Sequence, residues 1–375
     1  MRVGIMSMQR VVNHGSFMQA YGLKSMVESL GHDVVFVDYK PAPCVAGLRN
    51  GGERIKDWLG RVKADVRFTK AGRRLLVSTG AYKLTPIDVE YERCLGLLGV
   101  DPCRRNIGER VDTLIIGSDE VFNCTQAGPN VGFCRQLLGQ GNNCSAVISY
   151  AGSFGHTTLS DLERFQVSAD VKECFECFDA VSVRDENSRA ILEALKISDV
   201  HVHLDPVLVS GVEKMSWKPV FAHGRYAVVY GYGNRFTKFE GEAIRAVARK
   251  RGVELLAVYG HQDFCDKNID CGPDEILNYF KHAAFVVTDT FHGAIFSIIS
   301  HTPFVVIKRS QNANKLTDLL DRLSLKDRLA ATPEDISHIL SQDLRFEKAD
   351  EIRRAARESS IAYLRKSISV GGKER

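Results

Sequence analysis

Short apolar runs rich in valine and isoleucine alternate with amphipathic helical stretches along nearly the whole chain of 375 residues. A strand buried on both faces reads as a continuous apolar run, and two parallel strands need a crossover, usually a helix, between them. The alternation therefore predicts α/β architecture with parallel sheets covered by helices on both faces. In the first half, strands are expected at Val3–Met8, Val34–Tyr39, Thr113–Gly117, Ala146–Tyr150, Ala180–Arg184 and His201–Leu204, with helices at Ser16–Leu30, Ser160–Phe178 and Glu186–Leu195. The second half repeats the pattern with strands at Tyr226–Tyr230, Glu254–Tyr259, Phe285–Thr288 and Phe304–Ile307. Its expected helices are Lys238–Arg251, Asp274–His282, Ala294–Ser300 and Lys315–Leu323.

This length exceeds one ordinary core and suits two α/β lobes with a cleft between them. The stretch Ser210–Arg225, after Leu204-Asp205-Pro206, has no periodicity and reads as the linker. The expected division is 1–209, 210–332 and a helical tail over 333–375 that packs back on the first domain. The tail carries nine basic residues between Arg345 and Arg375. Residues 41–85 read as an irregular insert. Hydrophobic residues at 44% and charged residues at 26% exclude a disordered chain. No apolar run reaches membrane-spanning length, and the start at Val3-Gly4-Ile5-Met6 has no signal-like core, so a cytoplasmic protein is expected. Ten scattered cysteines fit reduced thiols. Cys174-Phe175-Glu176-Cys177 lacks the second pair that zinc needs and reads as buried structural thiols, so no metal is expected. A net charge of +4 gives no reason to expect nucleic acid, and any anion site must be local.

Five motifs stand at strand ends, where open α/β sheets bind ligands. Asn13-His14-Gly15-Ser16 opens a helix, with backbone N–H groups suited to an anion or a sugar hydroxyl, or with Ser16 simply capping. Gly117-Ser118-Asp119 through Asn123 places Ser118, Asp119 and Asn123 at a sheet edge. Arg184 ends a buried strand and must meet a carboxylate, with Asp185 the near candidate, or a bound anion. Asp289-Thr290-Phe291-His292-Gly293 puts an imidazole at a helix N-terminus; Asp289 is the expected carboxylate beside it. Lys308-Arg309-Ser310-Gln311-Asn312-Ala313-Asn314-Lys315 has an anion-binding composition just before a helix. Gly231-Tyr232-Gly233-Asn234 lacks the third glycine of a dinucleotide loop and reads as a turn.

In this order the motifs, together with Gln19-Ala20-Tyr21, Ser188 and Asp205-Pro206, resemble the signature of polysaccharide pyruvyl transferases. The resemblance implies a glycosyltransferase-B-like fold of two Rossmann-like domains. It also implies phosphoenolpyruvate as the donor substrate, with no separate cofactor, and a glycan or lipid-linked saccharide as the acceptor. By the same likeness His292 is the general acid, Asp119 a base, and Arg184 and the cations near Lys308 hold the donor. Asn13, Gly15, Ser118, Asn123, Asp289, Thr290, Gly293, Asn314 and Lys315 complete the substrate-binding set. The chain departs from the pattern in having Thr290 where some members carry arginine, and in Lys315 directly following Asn314. A nucleotide-sugar glycosyltransferase on the same fold and a non-catalytic glycan-binding relative stay open as alternatives. Nothing in the sequence sets the oligomeric state. Basic and apolar residues interleaved over Glu53–Arg74 suit either a peripheral membrane contact or a helix lying over the first domain.

Overall fold

The computed structural model describes residues 1–80, 82–83, 85–126, 132–220, 224–309 and 313–370. Residues 221–223 of the expected linker and 371–375 of the tail lie outside the described residues, as do Ser310, Gln311 and Asn312. Met1–Thr85, Leu95–Ser210 and Ala356–Arg375 form one compact unit; Pro86–Cys94 and Gly211–Ala355 form the other.

The first unit runs β1 (Arg2–Met6), α1 (His14–Ser29), β2 (Asp33–Phe36), α2 (Gly51–Arg67), α3 (Lys70–Ser78) and the end of α4 (Pro86–Leu98). It continues through β3 (Val111–Ile116), β4 (Cys144–Ser149), α5 (Leu159–Arg164), α6 (Ser168–Phe175), β5 (Val181–Val183), α7 (Glu186–Ala194), β6 (Val200–Val202) and α8 (Pro206–Val209). Four strands pair in parallel in the order β2-β1-β3-β4. Single bridges from Ile148 to Ala180 and from Gly152 to Val183 set the parallel β5–β6 pair beside β4. Apolar side chains of this sheet pack with Phe122, Phe154, Leu162 and Phe175 in one core.

The second unit contains β7 (Tyr226–Tyr230), α9 (Lys238–Arg251), β8 (Glu254–Val258), β9 (Lys267–Ile269), α10 (Ile276–Lys281), β10 (Val286–Thr288) and α11 (Phe291–Ile299). After them come β11 (Phe304–Ile307), α12 (Ala313–Arg322), β12 (Leu329–Ala330), α13 (Asp335–Ser341) and α14 (Glu347–Val370). Its six parallel strands lie in the order β12-β11-β10-β7-β8-β9. The chain re-enters the first unit within α14, where Leu364 and Ile368 are buried and the Tyr363 hydroxyl donates to the Ser149 carbonyl at 2.9 Å.

Three expectations need correction. The single helix at Ser160–Phe178 is two helices, because Gln166 takes a left-handed φ of 57° and breaks the hydrogen-bond ladder between α5 and α6. Within the stretch 41–85, expected to be irregular, Gly51–Arg67 and Lys70–Ser78 are the helices α2 and α3. The Cys-x-x-Cys pair is not wholly buried, since Cys177 lies past the end of α6 and is exposed while Cys174 is buried. All ten cysteines are free thiols. No helix among the described residues is long and apolar enough to cross a membrane.

Candidate active site

In the second unit, β10 ends at Thr288 and the chain turns through Asp289 and Thr290 into α11. Thr290 is the N-cap: its backbone is extended and its Oγ1 accepts the Gly293 N–H at 3.0 Å. Thr288 gives its one hydroxyl proton to the Tyr230 carbonyl at 2.7 Å. The 3.0 Å contact between the two threonine hydroxyls is therefore donated by Thr290. Gly293 is required by this packing, because a Cβ there would stand 2.1 Å from Thr288 Oγ1 and 2.7 Å from Thr290 Oγ1. His292 follows on the first turn of α11, partly exposed, with its ring against Phe291 and Phe296 at centroid distances of 5.4 and 6.1 Å.

Asp289 is fully buried, and its Oδ2 lies 3.0 Å from the Nε atoms of both Arg309 and Arg235. The carboxylate expected beside the histidine is thus gripped by two guanidiniums. Burial pushes the Asp289 carboxyl above its ordinary value, with the two arginines opposing that shift. Arg309 also donates from Nη1 and Nη2 to the two Glu240 oxygens at 2.6 and 2.9 Å. Glu240 in turn closes a capping box with Thr237 at the start of α9. Burial raises the Glu240 carboxyl, but the hydrogen bonds from Arg309 and Thr237 outweigh it and leave the group below its ordinary value.

Arg235 is used differently. Nε faces Asp289, and no hydrogen bond joins the terminal nitrogens to another described residue. The side chain is 23% exposed and lies over the Tyr232 ring at 5.4 Å. Strands β7 and β10 are parallel neighbours, so the loop carrying Arg235 and the loop before His292 leave the same edge of the sheet. Gly231 permits their approach: a Cβ there would come within 2.9 Å of Asp289 Oδ1. The segment after it is a turn, as the sequence suggests, with Asn234 at φ 50°. Lys308 and Asn314 are exposed, whereas Lys315 Nζ lies 6.0 Å from the Phe291 ring centre.

In the first unit, Asn13, not Ser16, caps α1. Its Oδ1 accepts the N–H groups of Gly15 and Ser16 at 2.8 and 3.2 Å, so the amides expected to face a ligand are bound internally. Ser16 instead donates its hydroxyl to Asp119 Oδ2 at 2.7 Å. Asp119 is partly exposed, sits at φ 78°, and accepts the Glu120 N–H at 2.9 Å. Ser118 is fully buried and donates to the Ala151 carbonyl at 3.0 Å. Asn123 is buried as well, donating to Glu120 at 2.8 Å and accepting from Thr157 at 2.8 Å. Arg184 does not pair with Asp185, which caps α7 and accepts the Ser153 hydroxyl at 2.5 Å. Its Nη1 meets Asp205 at 2.9 Å, with both side chains almost wholly buried, and Asp119 Oδ1 at 3.9 Å. This is a structural ion pair in the core that adds positive charge behind Asp119.

The model of the family described as polysaccharide pyruvyl transferase matches residues 13–311. The chain belongs to the polysaccharide pyruvyl transferase family. It is accordingly a transferase of polysaccharide biosynthesis, and its acceptor is a polysaccharide or precursor. No curated protein matches it. Among solved structures, it is similar to a putative UDP-N-acetylglucosamine 2-epimerase from Listeria monocytogenes, with TM-score 0.51 and 11% identity over 100% of this chain and 98% of that one. Arabidopsis thaliana UGT89C1 complexed with quercetin gives TM-score 0.50 and 11% identity over 98% and 99%. The UDP-GlcNAc 2-epimerase from Neisseria meningitidis gives TM-score 0.50 and 10% identity over 99% and 100%. Likeness at this identity shows the fold alone, which is glycosyltransferase-B-like.

In this pyruvyl transferase, sequence reasoning missed Arg235 and Glu240. Arg235 hides behind a segment read only as a turn, yet its place at a strand's carboxyl end was the available signal. His156, exposed and 3.2 Å by Nε2 from the Thr125 hydroxyl beside Asn123, carried no motif at all.

Proposed function

We propose that this pyruvyl transferase takes its pyruvyl group from phosphoenolpyruvate and closes it as a ketal on two hydroxyls of a lipid-linked saccharide, meeting that acceptor as a peripheral visitor to the membrane. Protonation of the enol methylene by His292 gives a methyl group and an oxocarbenium-like carbon. One acceptor hydroxyl adds to that carbon, the carbon–phosphate oxygen bond breaks, and the second hydroxyl closes the ring. Of the two hydroxyl protons released, one restores the histidine and the other leaves on inorganic phosphate. Asp119 serves as base on the acceptor side.

The observation that carries this reading is the presence at one sheet edge of a partly exposed histidine and of Arg235, whose terminal nitrogens bond to no other described residue. Its planar fork matches a carboxylate or phosphate, and Asp289 anchors its inner nitrogen, so the fork is fixed before the donor arrives. Arg235 takes the part expected of an arginine at position 290, and Arg184 is left to the core. The donor itself is the only cosubstrate required.

Incubation with phosphoenolpyruvate and a panel of glycosides, followed by phosphate assay, tests the donor. Release of phosphate that depends on the glycoside supports it; release driven by a nucleotide sugar alone overturns it in favour of a glycosyltransferase. His292→Ala should lower kcat by ~10²–10⁴-fold with an unchanged melting temperature. Arg235→Gln should raise KM for phosphoenolpyruvate far more than Arg235→Lys. Equal and small changes would remove Arg235 from the donor site.

A further inference from the structure

Helix α2 is turned inside out relative to a helix that packs on a core. Ile55, Trp58, Leu59 and Val62 share one face at helical spacing and are 61%, 57%, 46% and 40% exposed. The opposite face is the one that is fastened. There Asp57, 8% exposed, pairs with Arg49 at 3.0 Å, while Asp65, on the flank of the stripe, is bound by Arg105. Just beyond the helix, Phe68 is held between the guanidiniums of Arg10 and Arg105, at 4.8 and 4.4 Å from its ring centre. Polar contacts thus fix the orientation and leave the apolar stripe outward. At about 3.6 residues per turn, Lys56 and Lys63 fall along one flank of the stripe and Arg54 and Arg61 along the other. Two of the helix's acids, Asp57 and Asp65, are occupied by the internal pairs just described.

We propose that this face of α2 docks on an anionic lipid bilayer, with Trp58 and its apolar neighbours entering the acyl boundary and the flanking cations meeting headgroup phosphates. The proposal rests on the reading of the acceptor as lipid-linked and names the surface that brings the enzyme to it. A second copy of this chain fits poorly, because a two-fold pairing of the stripe would set cationic flanks against each other.

The full chain is to be sedimented with vesicles of phosphatidylglycerol and phosphatidylcholine, and separately with pure phosphatidylcholine. Binding confined to the anionic vesicles and weakened by salt is expected, with a blue shift of Trp58 emission. Trp58→Ser/Leu59→Ser should abolish binding while leaving circular dichroism unchanged and moving the melting temperature little, since the side chains are 57% and 46% exposed. Lys56→Gln/Lys63→Gln should weaken it by roughly fivefold per cation removed. Absence of binding at low salt, binding indifferent to lipid charge, or survival of binding in the serine variant would overturn the proposal. So would a dimer that the serine variant dissolves. Phosphate release on a soluble glycoside is measured in parallel. Normal turnover without vesicle binding sinks the docking surface and leaves the phosphoenolpyruvate reaction standing, whereas vesicle binding without turnover does the reverse.

Discussion

Arg184 and Arg235 are both arginines at the carboxyl end of a parallel strand, and what surrounds each decides its use. Arg184 is spent on buried Asp205, so Arg184→Ala should leave an uncompensated carboxylate in the core and cost about 3–5 kcal/mol of stability, read as a shift in the urea midpoint. An unaffected midpoint together with a raised donor KM would instead make Arg184 a ligand residue. Glu240 has a pH consequence whose sign follows from its lowered value. A carboxyl held below its unfolded value contributes stability that is present above the ordinary carboxylate range and lost as pH falls through its folded value. Asp289, raised by burial, acts oppositely and gains relative stability on protonation. Glu240→Gln should therefore show a shallower loss of stability on acidification than the parent, followed by denaturant titration across that range; identical curves would remove Glu240 from the acid response.

At the scale of elements, the start of α11 depends on Thr290 as a cap. Thr290→Ala should destabilise the fold by ~1 kcal/mol, with Thr290→Ser restoring most of it, since the hydroxyl and not the methyl carries the bond. Thermal melts of the two variants decide the point. The positions of β1, β7, β10 and α9 were legible because buried parallel strands and a well-capped helix each impose a continuous periodic pattern. The short β9 and β12, three and two residues long, hold too few side chains to show any period. The sequence offers helix α2 only as one of two readings of Glu53–Arg74 and does not separate α3 from it, because their apolar faces are not buried against a core and charge dominates the reading. In the candidate site, the motif around His292 was legible as local sequence. The wiring of Asp289 to Arg235 and Arg309 was not, because it joins residues 54 and 20 positions apart whose proximity is set by strand order. Ser118 and Asn123 were found by motif, but their side chains turned out to be bonded within the protein.

At the scale of the molecule, each unit has its own core, and part of the first one's cover comes from far along the chain. Removing residues 356–375 should strip Tyr363, Leu364 and Ile368 from the first unit and make it susceptible to protease within β4 and its neighbours, while the second unit's strands keep their protection. Limited proteolysis with mass analysis reads this directly, and protection of β4 in the truncated chain would refute it. The same connection has a consequence in time. The Tyr363 hydroxyl that meets the Ser149 carbonyl belongs to a residue made 214 positions later. At ~5–20 residues per second of translation, that is a delay on the order of ten to forty seconds. Throughout that interval the nascent first unit must wait on the ribosome with one face of its sheet unsealed, while Gly211–Ala355 of the second unit is synthesised and can join the earlier Pro86–Cys94 to fold ahead of it.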